Sequence, residues 1–297
     1  LEDLLLANQA SMWIAGWLLT VSTEGMADAL ETLCHPDGEL ALFGDAALGE
    51  AMPPQVLLQL AQATWRGGET EGIQSPSPHP FTAPVISSEC EKSPSPHPSP
   101  GGRGSKSPSP HSSPGESGSA GGNSSLPDAG FYVLRPEGTG HHLIAKAGAP
   151  GPAHQLGHAH GDQLSFELSV DRLRIVVDSG THGYAESPLR AYCRSVRAHN
   201  TVCVNGQEPL ERWGAFRVAR RYQPAKIRLY LGSLQEHAKN RTFPGLREGE
   251  LCALRASYRG YQGYEHARYI AWRDGGWRIL DTVTAKALNG ASWNPCY

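Results

Sequence analysis

No two cysteines in this 297-residue chain are spaced as a CxxC pair. Six are present, at Cys34, Cys90, Cys193, Cys203, Cys252 and Cys296. Their scatter excludes a zinc ribbon and a dense disulfide framework, and it leaves the redox compartment open. Excess charge is missing too. With 26 basic and 29 acidic residues the formal net charge is −3, so no whole-chain field draws the protein to nucleic acid or to an anionic membrane surface. Nor is there an unbroken hydrophobic run. The longest apolar region, "LLLANQASMWIAGWLLTV" at 4–21, is interrupted by Asn8, Gln9 and Ser11, and reads as a buried or amphipathic helix rather than an integral membrane segment. The first residue is Leu rather than Met, so the natural start is expected upstream, where a signal peptide would lie out of view. The sequence carries no statement of oligomeric state.

What is present changes character along the chain. The stretch 74–126 is dominated by Ser, Pro and Gly and repeats "SPSPH" at Ser75, Ser93 and Ser107. It holds too few apolar groups to offset the entropy of ordering it, so disorder is expected, as a spacer or inserted repeat. Before it the pattern is helical: 1–21, then 24–34 with Met26, Leu30 and Leu33, then a third helix from Pro53 to about Trp65. The turn "HPDG" at 35–38 separates the second from the third. After the Ser/Pro/Gly tract the period falls from 3.6 to 2. "FYVLR", "HLIAKA", "LSFELSV", "LRIVVDSG", "TVCVNG", "KIRLYLG", "LCALRASY", "ARYIAWR" and "WRILDTV" read as strands, with "RDGG" as a hairpin turn. Many short strands without intervening helices predict an antiparallel β-sandwich, giving a mainly β fold preceded by a few α-helices. The divisions expected are a helical segment at 1–73, a disordered insertion at 74–127 and the sandwich at 128–297, with a truncated C-terminus.

Chemistry concentrates at three strand ends. In "GHAHGDQLSFEL", His158 and His160 are two apart in near-extended chain, so both rings can face one cavity. Asp178 ends a strong strand and enters the turn "SGTHGY", while His199 and Asn200 immediately precede "TVCV". Two imidazoles and a carboxylate are a familiar set for zinc, and the absence of thiolates argues against an iron–sulfur cluster. Packing or surface histidines remain the alternative for these positions, and the reading preferred for His35, His79, His97, His111 and His237.

Two long runs, "GHAHGDQLSFELSVDRLRIVVDSGTHGY" and "LRAYCRSVRAHNTVCVNGQEPLERWGAFR", resemble the C-terminal part of the heparinase II/III-like polysaccharide lyases. "ASYRGYQGYEHARYIAWRDGGWRILDTV" continues the resemblance, and "LETLCHPDGELALFGDAALGEAMPPQVLLQLA" resembles the last helices before that sandwich. The resemblance implies an (α/α) toroid packed on an antiparallel β-sandwich, of which this chain would carry the toroid's tail. It implies zinc held by His160, Asp178 and His199, and His158 as the catalytic-site histidine facing the sugar. Asp162 matches the motif, with a turn or supporting hydrogen bond as its expected role. The implied activity is β-elimination on a uronic-acid polysaccharide, a glycosaminoglycan or an alginate, in the cell envelope, periplasm or outside the cell. The family's proton-transfer tyrosine would lie upstream of Leu1, so this chain is expected to lack the toroid's part of the active site.

An anionic polymer calls for cations. Arg190, Arg194 and Arg197 precede His199, and Arg212, Arg217, Arg220 and Arg221 follow it. Arg194 and Arg197, with Asn200, form the expected substrate-binding set, against ordinary surface ion pairing as the alternative. Trp213 could stack on a sugar or sit in the core. Two rival readings are a cupin-type metal enzyme, disfavoured because Glu167 lies too far along, and a non-catalytic, metal-stabilised carbohydrate-binding or degenerate sandwich.

Overall fold

The structure is a computed structural model that describes residues 14–49, 51–65, 124–231, 250–285 and 293–295. The Ser/Pro/Gly tract expected to be disordered lies almost wholly outside the described residues, as does the start of the first expected helix. The described helices and sheets belong to one compact unit.

Helix α1 runs Ile14–Thr32 and α2 Pro54–Trp65. The two helices expected at 1–21 and 24–34 are joined through Ser22, Thr23 and Glu24. Gly25 costs only about 1 kcal/mol in a helix interior, too little to stop it, and no proline intervenes. The helix ends before Pro36. Helix α2 opens on Pro54, at the one place where a missing N–H is harmless.

The strands β1 (Ser125–Leu126), β2 (Phe131–Leu134), β3 (His141–Lys146), β4 (Phe166–Val170) and β5 (Leu173–Val176) form one antiparallel sheet in chain order. A short helix α3 (Pro188–Cys193), a 3-10 turn (Val196–Ala198), β6 (Val202–Val204) and the hairpin β7 (Arg212–Trp213) and β8 (Arg217–Val218) follow. Then β9 (Gln223–Leu231), β10 (Glu250–Arg259), β11 (Tyr264–Arg273) and β12 (Gly276–Ala285) make a four-stranded antiparallel sheet, and β13 (Trp293–Pro295) pairs with β6. The turn between β11 and β12 places Asp274 and Gly275 at φ 53 and 76, the paired positive angles of a tight hairpin.

Tyr132, Leu134, Leu143 and Ala145 on one face of the first sheet share a core with Leu254, Ala256, Tyr258, Ile270 and Trp272 of the second. The opposite face, carrying Val133 and Ile144, is covered by Ala41 and Phe43 from the segment after α1. Coverage on both sides explains why β2 and β3 are buried almost end to end instead of alternating. Strand β11 has the alternation expected of a one-sided core, turning Tyr264, His266, Arg268, Ile270 and Trp272 inward.

Polar contacts lock the same post-α1 segment onto the sheet. Buried Glu167 accepts from the Leu42 amide at 2.8 Å and meets His35 Nε2 at 2.8 Å, while His35 Nδ1 meets Ser169 Oγ at 2.6 Å. Arg174 reaches Asp37 at 2.7 Å, and Lys146 Nζ holds both oxygens of buried Asp162 at 2.8 and 2.6 Å. Asp162 also accepts from the Gly44 amide. The helical segment is thus fixed against the strands by charge-assisted bonds on either side of Phe43.

Candidate functional site

The fixed segment delivers a residue that sequence reasoning passes over. Asp45, 7 % exposed at its side chain, lies one residue beyond the Gly44 anchor. Its carboxylate meets His158 Nδ1 at 2.7 Å through Oδ2 and His160 Nε2 at 2.7 Å through Oδ1. Arg190, on α3, donates to both oxygens from its two Nη atoms, Nη2 to Oδ2 at 2.9 Å. Burial alone would raise the Asp45 carboxyl, but the hydrogen bonds from His160, Arg190 and His158 outweigh it and hold it far below the usual carboxylate range. The only local signal for Asp45 is an acidic residue between two small ones in "FGDAA", and its partners lie more than a hundred residues away.

The turn after Asp178 is shaped by this docking. Gly180 adopts φ 56, and a Cβ there would run into the Ala46 carbonyl, so the "DSG" glycine is required twice over. The Thr181 amide donates to the same carbonyl at 3.1 Å, and Thr181 Oγ1 accepts from Arg190 at 2.8 Å. Helix α3, which carries Arg190, starts on a Ser187 cap that accepts from the Arg190 amide, with proline in its first turn.

Asp178 is buried at the sheet end and held by the Ser165 hydroxyl at 3.0 Å and the Gly180 amide at 3.3 Å, while its own amide donates to Glu167. His199 Nδ1 sits 2.8 and 3.0 Å from its two oxygens. Burial pulls the His199 pKa down, but the Asp178 carboxylate overrides it and the net direction is up. For His160 burial prevails over Asp45, and the net direction is down. The two rings lie 5.3 Å apart.

Three of the expected residues therefore converge. Among the described residues, however, no group of three or more His, Cys, Asp or Glu side chains is arranged to hold a metal ion. His160 Nε2 is taken by Asp45 and His199 Nδ1 by Asp178. What these bonds leave over are His160 Nδ1 and His199 Nε2, both on buried rings and both without a hydrogen-bond partner among the described residues. Two orphaned imidazole nitrogens beside a carboxylate are the donor types that zinc takes, so the residues fit the ion in chemistry without being closed on a common centre.

The strand entry is strained. Leu164, where the histidine motif turns into β4, has φ 56, an outlier for a bulky residue that costs on the order of 1–3 kcal/mol. Buried Arg268 offsets it by donating to the Leu164 carbonyl at 2.6 Å and to the Asn200 carbonyl at 2.6 Å, tying the two strand ends together.

His158 faces outward, with 58 % of its side chain exposed. Its ring is edge-on to Tyr184 at 6.0 Å and to Phe216 at 6.3 Å, and those two exposed rings stack 6.2 Å apart with Arg190 beneath, 5.5 Å from each. An open pocket of about 380 Å³ adjoins them, lined by Arg190, Glu186, Ser187 and Gly214.

The expected substrate-binding set lies differently. Arg194 is buried and donates to the carbonyls of Ala159, Gly214 and Ala215. Asn200 gives its amide to the carbonyls of Phe166 and Val177. Both hold loops in place, whereas Arg197 is exposed. Trp213, weighed between core and sugar platform, is half exposed on β7.

Among the described residues no helix is long and apolar enough to cross a membrane. No curated protein matches the sequence. Among solved structures, the chain is similar to a heparan sulfate lyase HepC mutant from Pedobacter heparinus, with 17 % identity and a TM-score of 0.50 over 91 % of this chain and 34 % of that one. It is also similar to the Heparinase III-BT4657 gene product, with 17 % identity and a TM-score of 0.50 over 89 % of this chain and 32 % of that one. The chain thus spans about a third of the length of the structures it matches, and at this identity the likeness speaks for the fold. The family description "Heparinase II/III-like, C-terminal" matches residues 120–293, more than half of the sequence. With the antiparallel sandwich and its converging histidines in place, the chain belongs to the heparinase II/III-like family.

Proposed function

We propose that the chain is the sandwich portion of a polysaccharide lyase that cleaves a uronic-acid polymer by β-elimination. The observation that carries the reading is His158, a histidine held by a buried carboxylate at Nδ1, with an exposed side chain beside two exposed aromatic rings. Aromatic faces suit the apolar faces of sugar rings, and a held histidine suits proton transfer.

In this reaction the C5 proton is removed and its electron pair forms the C4–C5 double bond. The C4–O bond breaks, and the departing oxygen takes a proton. His158 acts through Nε2, the nitrogen not held by Asp45, in the proton transfer. Arg197 is the exposed member of the expected cationic set and contributes to attraction of the polymer, while Arg194 and Asn200 act by holding the loops beneath it. Zinc would be held by His160, Asp178 and His199 and would supply cross-linking of strand ends that keeps the His158 loop in place.

The test is ultraviolet absorbance from unsaturated uronate ends, measured on the natural full-length protein with heparan sulfate and alginate as substrates. Product formation that falls about 10²–10⁴-fold in His158→Ala is expected. Polymer binding without any unsaturated product would instead establish a carbohydrate-binding sandwich.

A further inference from the structure

We propose that Asp45 is a positioning residue that fixes the tautomers of His158 and His160 in opposite senses, leaving His158 Nε2 and His160 Nδ1 as the lone-pair nitrogens of the site. The use of His158 in turnover rests on the lyase reading, but the assignment of the tautomers does not.

The argument is one of proton counting. Both Asp45 oxygens already accept from the Arg190 guanidinium, which cannot lose a proton and cannot accept one. A neutral carboxylic acid facing that fork would forfeit the paired geometry, so the carboxylate is ionised and has no proton to donate. Each imidazole nitrogen facing it must then be the N–H. For His158 that nitrogen is Nδ1, at 2.7 Å from Oδ2; for His160 it is Nε2, at 2.7 Å from Oδ1. A neutral imidazole carries one N–H, so the remaining nitrogen of each ring holds a lone pair.

The consequences differ between the two rings. An exposed neutral histidine side chain ordinarily favours Nε2–H, so His158 is held against its preference, with its lone pair on Nε2. That is the form able to accept a proton. For His160 the lone pair falls on Nδ1, the buried atom with no hydrogen-bond partner among the described residues. A single carboxylate thereby readies one ring for proton transfer and the other to act as a donor toward a cation. Because Asp45 is contributed by the segment after α1 and both histidines by the approach to β4, this setting is made only when those parts are docked.

Histidine-selective ¹⁵N labelling of the whole chain, stripped of metal, tests this by two-bond ¹H–¹⁵N correlation above the ordinary histidine pKa of about 6.5. Signals are assigned by comparison with His158→Gln and His160→Gln. His158 as Nδ1–H together with His160 as Nε2–H is the expected result; His158 as Nε2–H, or averaging between forms, overturns the proposal. In Asp45→Asn, the amide offers one acceptor oxygen and a donating NH₂, so it can keep one ring at most. A change of tautomer in one or both rings is expected there, and spectra unchanged in both overturn the proposal. Should that variant fail to fold, the wild-type tautomers decide by themselves. Where the full-length protein turns over polymer, Asp45→Asn is expected to lower kcat by about 10²-fold or more with KM nearly unmoved. Tautomers as stated in a protein that forms no unsaturated product would retire the lyase reading and leave the role of Asp45 standing.

Discussion

Acidification should weaken this fold through one histidine remote from the site. His142 on β3 is 5 % exposed, and its Nδ1 accepts from Arg135 Nε at 3.2 Å. Burial, then the Arg135 charge, then His35, whose ring lies 5.4 Å away, press its pKa down to about 3; Arg174 adds to them and Asp37 opposes. In the unfolded chain the value returns to about 6.5. The folded pKa is the lower one, so between the two values the unfolded state binds the extra proton. The stabilisation is complete above about pH 6.5 and drains away as pH falls toward about 3, at about 1.4 kcal/mol per pH unit. The accumulated loss is on the order of 5 kcal/mol, comparable with the whole stability of a modest domain. His142→Gln supplies the control, since its amide oxygen still accepts from Arg135 but does not titrate. Urea unfolding of both proteins at steps between about pH 7 and about pH 4 should show the wild type losing roughly one proton's worth of stability per unit more than the variant. Parallel curves would refute the reasoning, because they would mean that folded His142 takes up its proton as readily as the unfolded chain.

Lys146→Met should cost about 3–5 kcal/mol in urea denaturation, because it strands a fully buried Asp162 carboxylate. Adding Asp162→Asn to that variant should recover much of the loss, and a single-variant cost below about 1 kcal/mol would show that the pair is not coupled. Elemental analysis should find one zinc per chain, lost in His160→Ala and in Asp178→Ala and retained in Arg197→Ala. A chain that takes up no zinc under any condition would remove the ion from the reading.

The strands were the legible part, for a reason visible in β11 and β12. Long antiparallel strands with one buried face must alternate, and "RDGG" contains the two residues that tolerate the turn's positive φ. Hairpin β7–β8 was missed because two residues are too short to show a period. His158, His160, Asp178 and His199 stand out in the sequence because they fall within patterned motifs that flank apolar strands. Asp45 was not, since its meaning comes from histidines 113 and 115 residues away. Arg194 illustrates the opposite error: a sequence can show a cluster of guanidinium groups but not that the backbone carbonyls of Ala159, Gly214 and Ala215 have claimed one of them. The zinc reading has the same dependence, because orphaned nitrogens emerge only once every other hydrogen bond is placed.

The docking of Asp45 across the sheet has an implication for how the polypeptide can be cut. Severing it anywhere between Trp65 and Ser125 would put the carboxylate on one piece and the two imidazoles on the other. The severed pieces would regain the arrangement only by reassociating, with Phe43 returning to Val133 and Ile144 as the apolar seam. A nick in that stretch therefore converts an intramolecular arrangement into a bimolecular one, whose restoration depends on concentration.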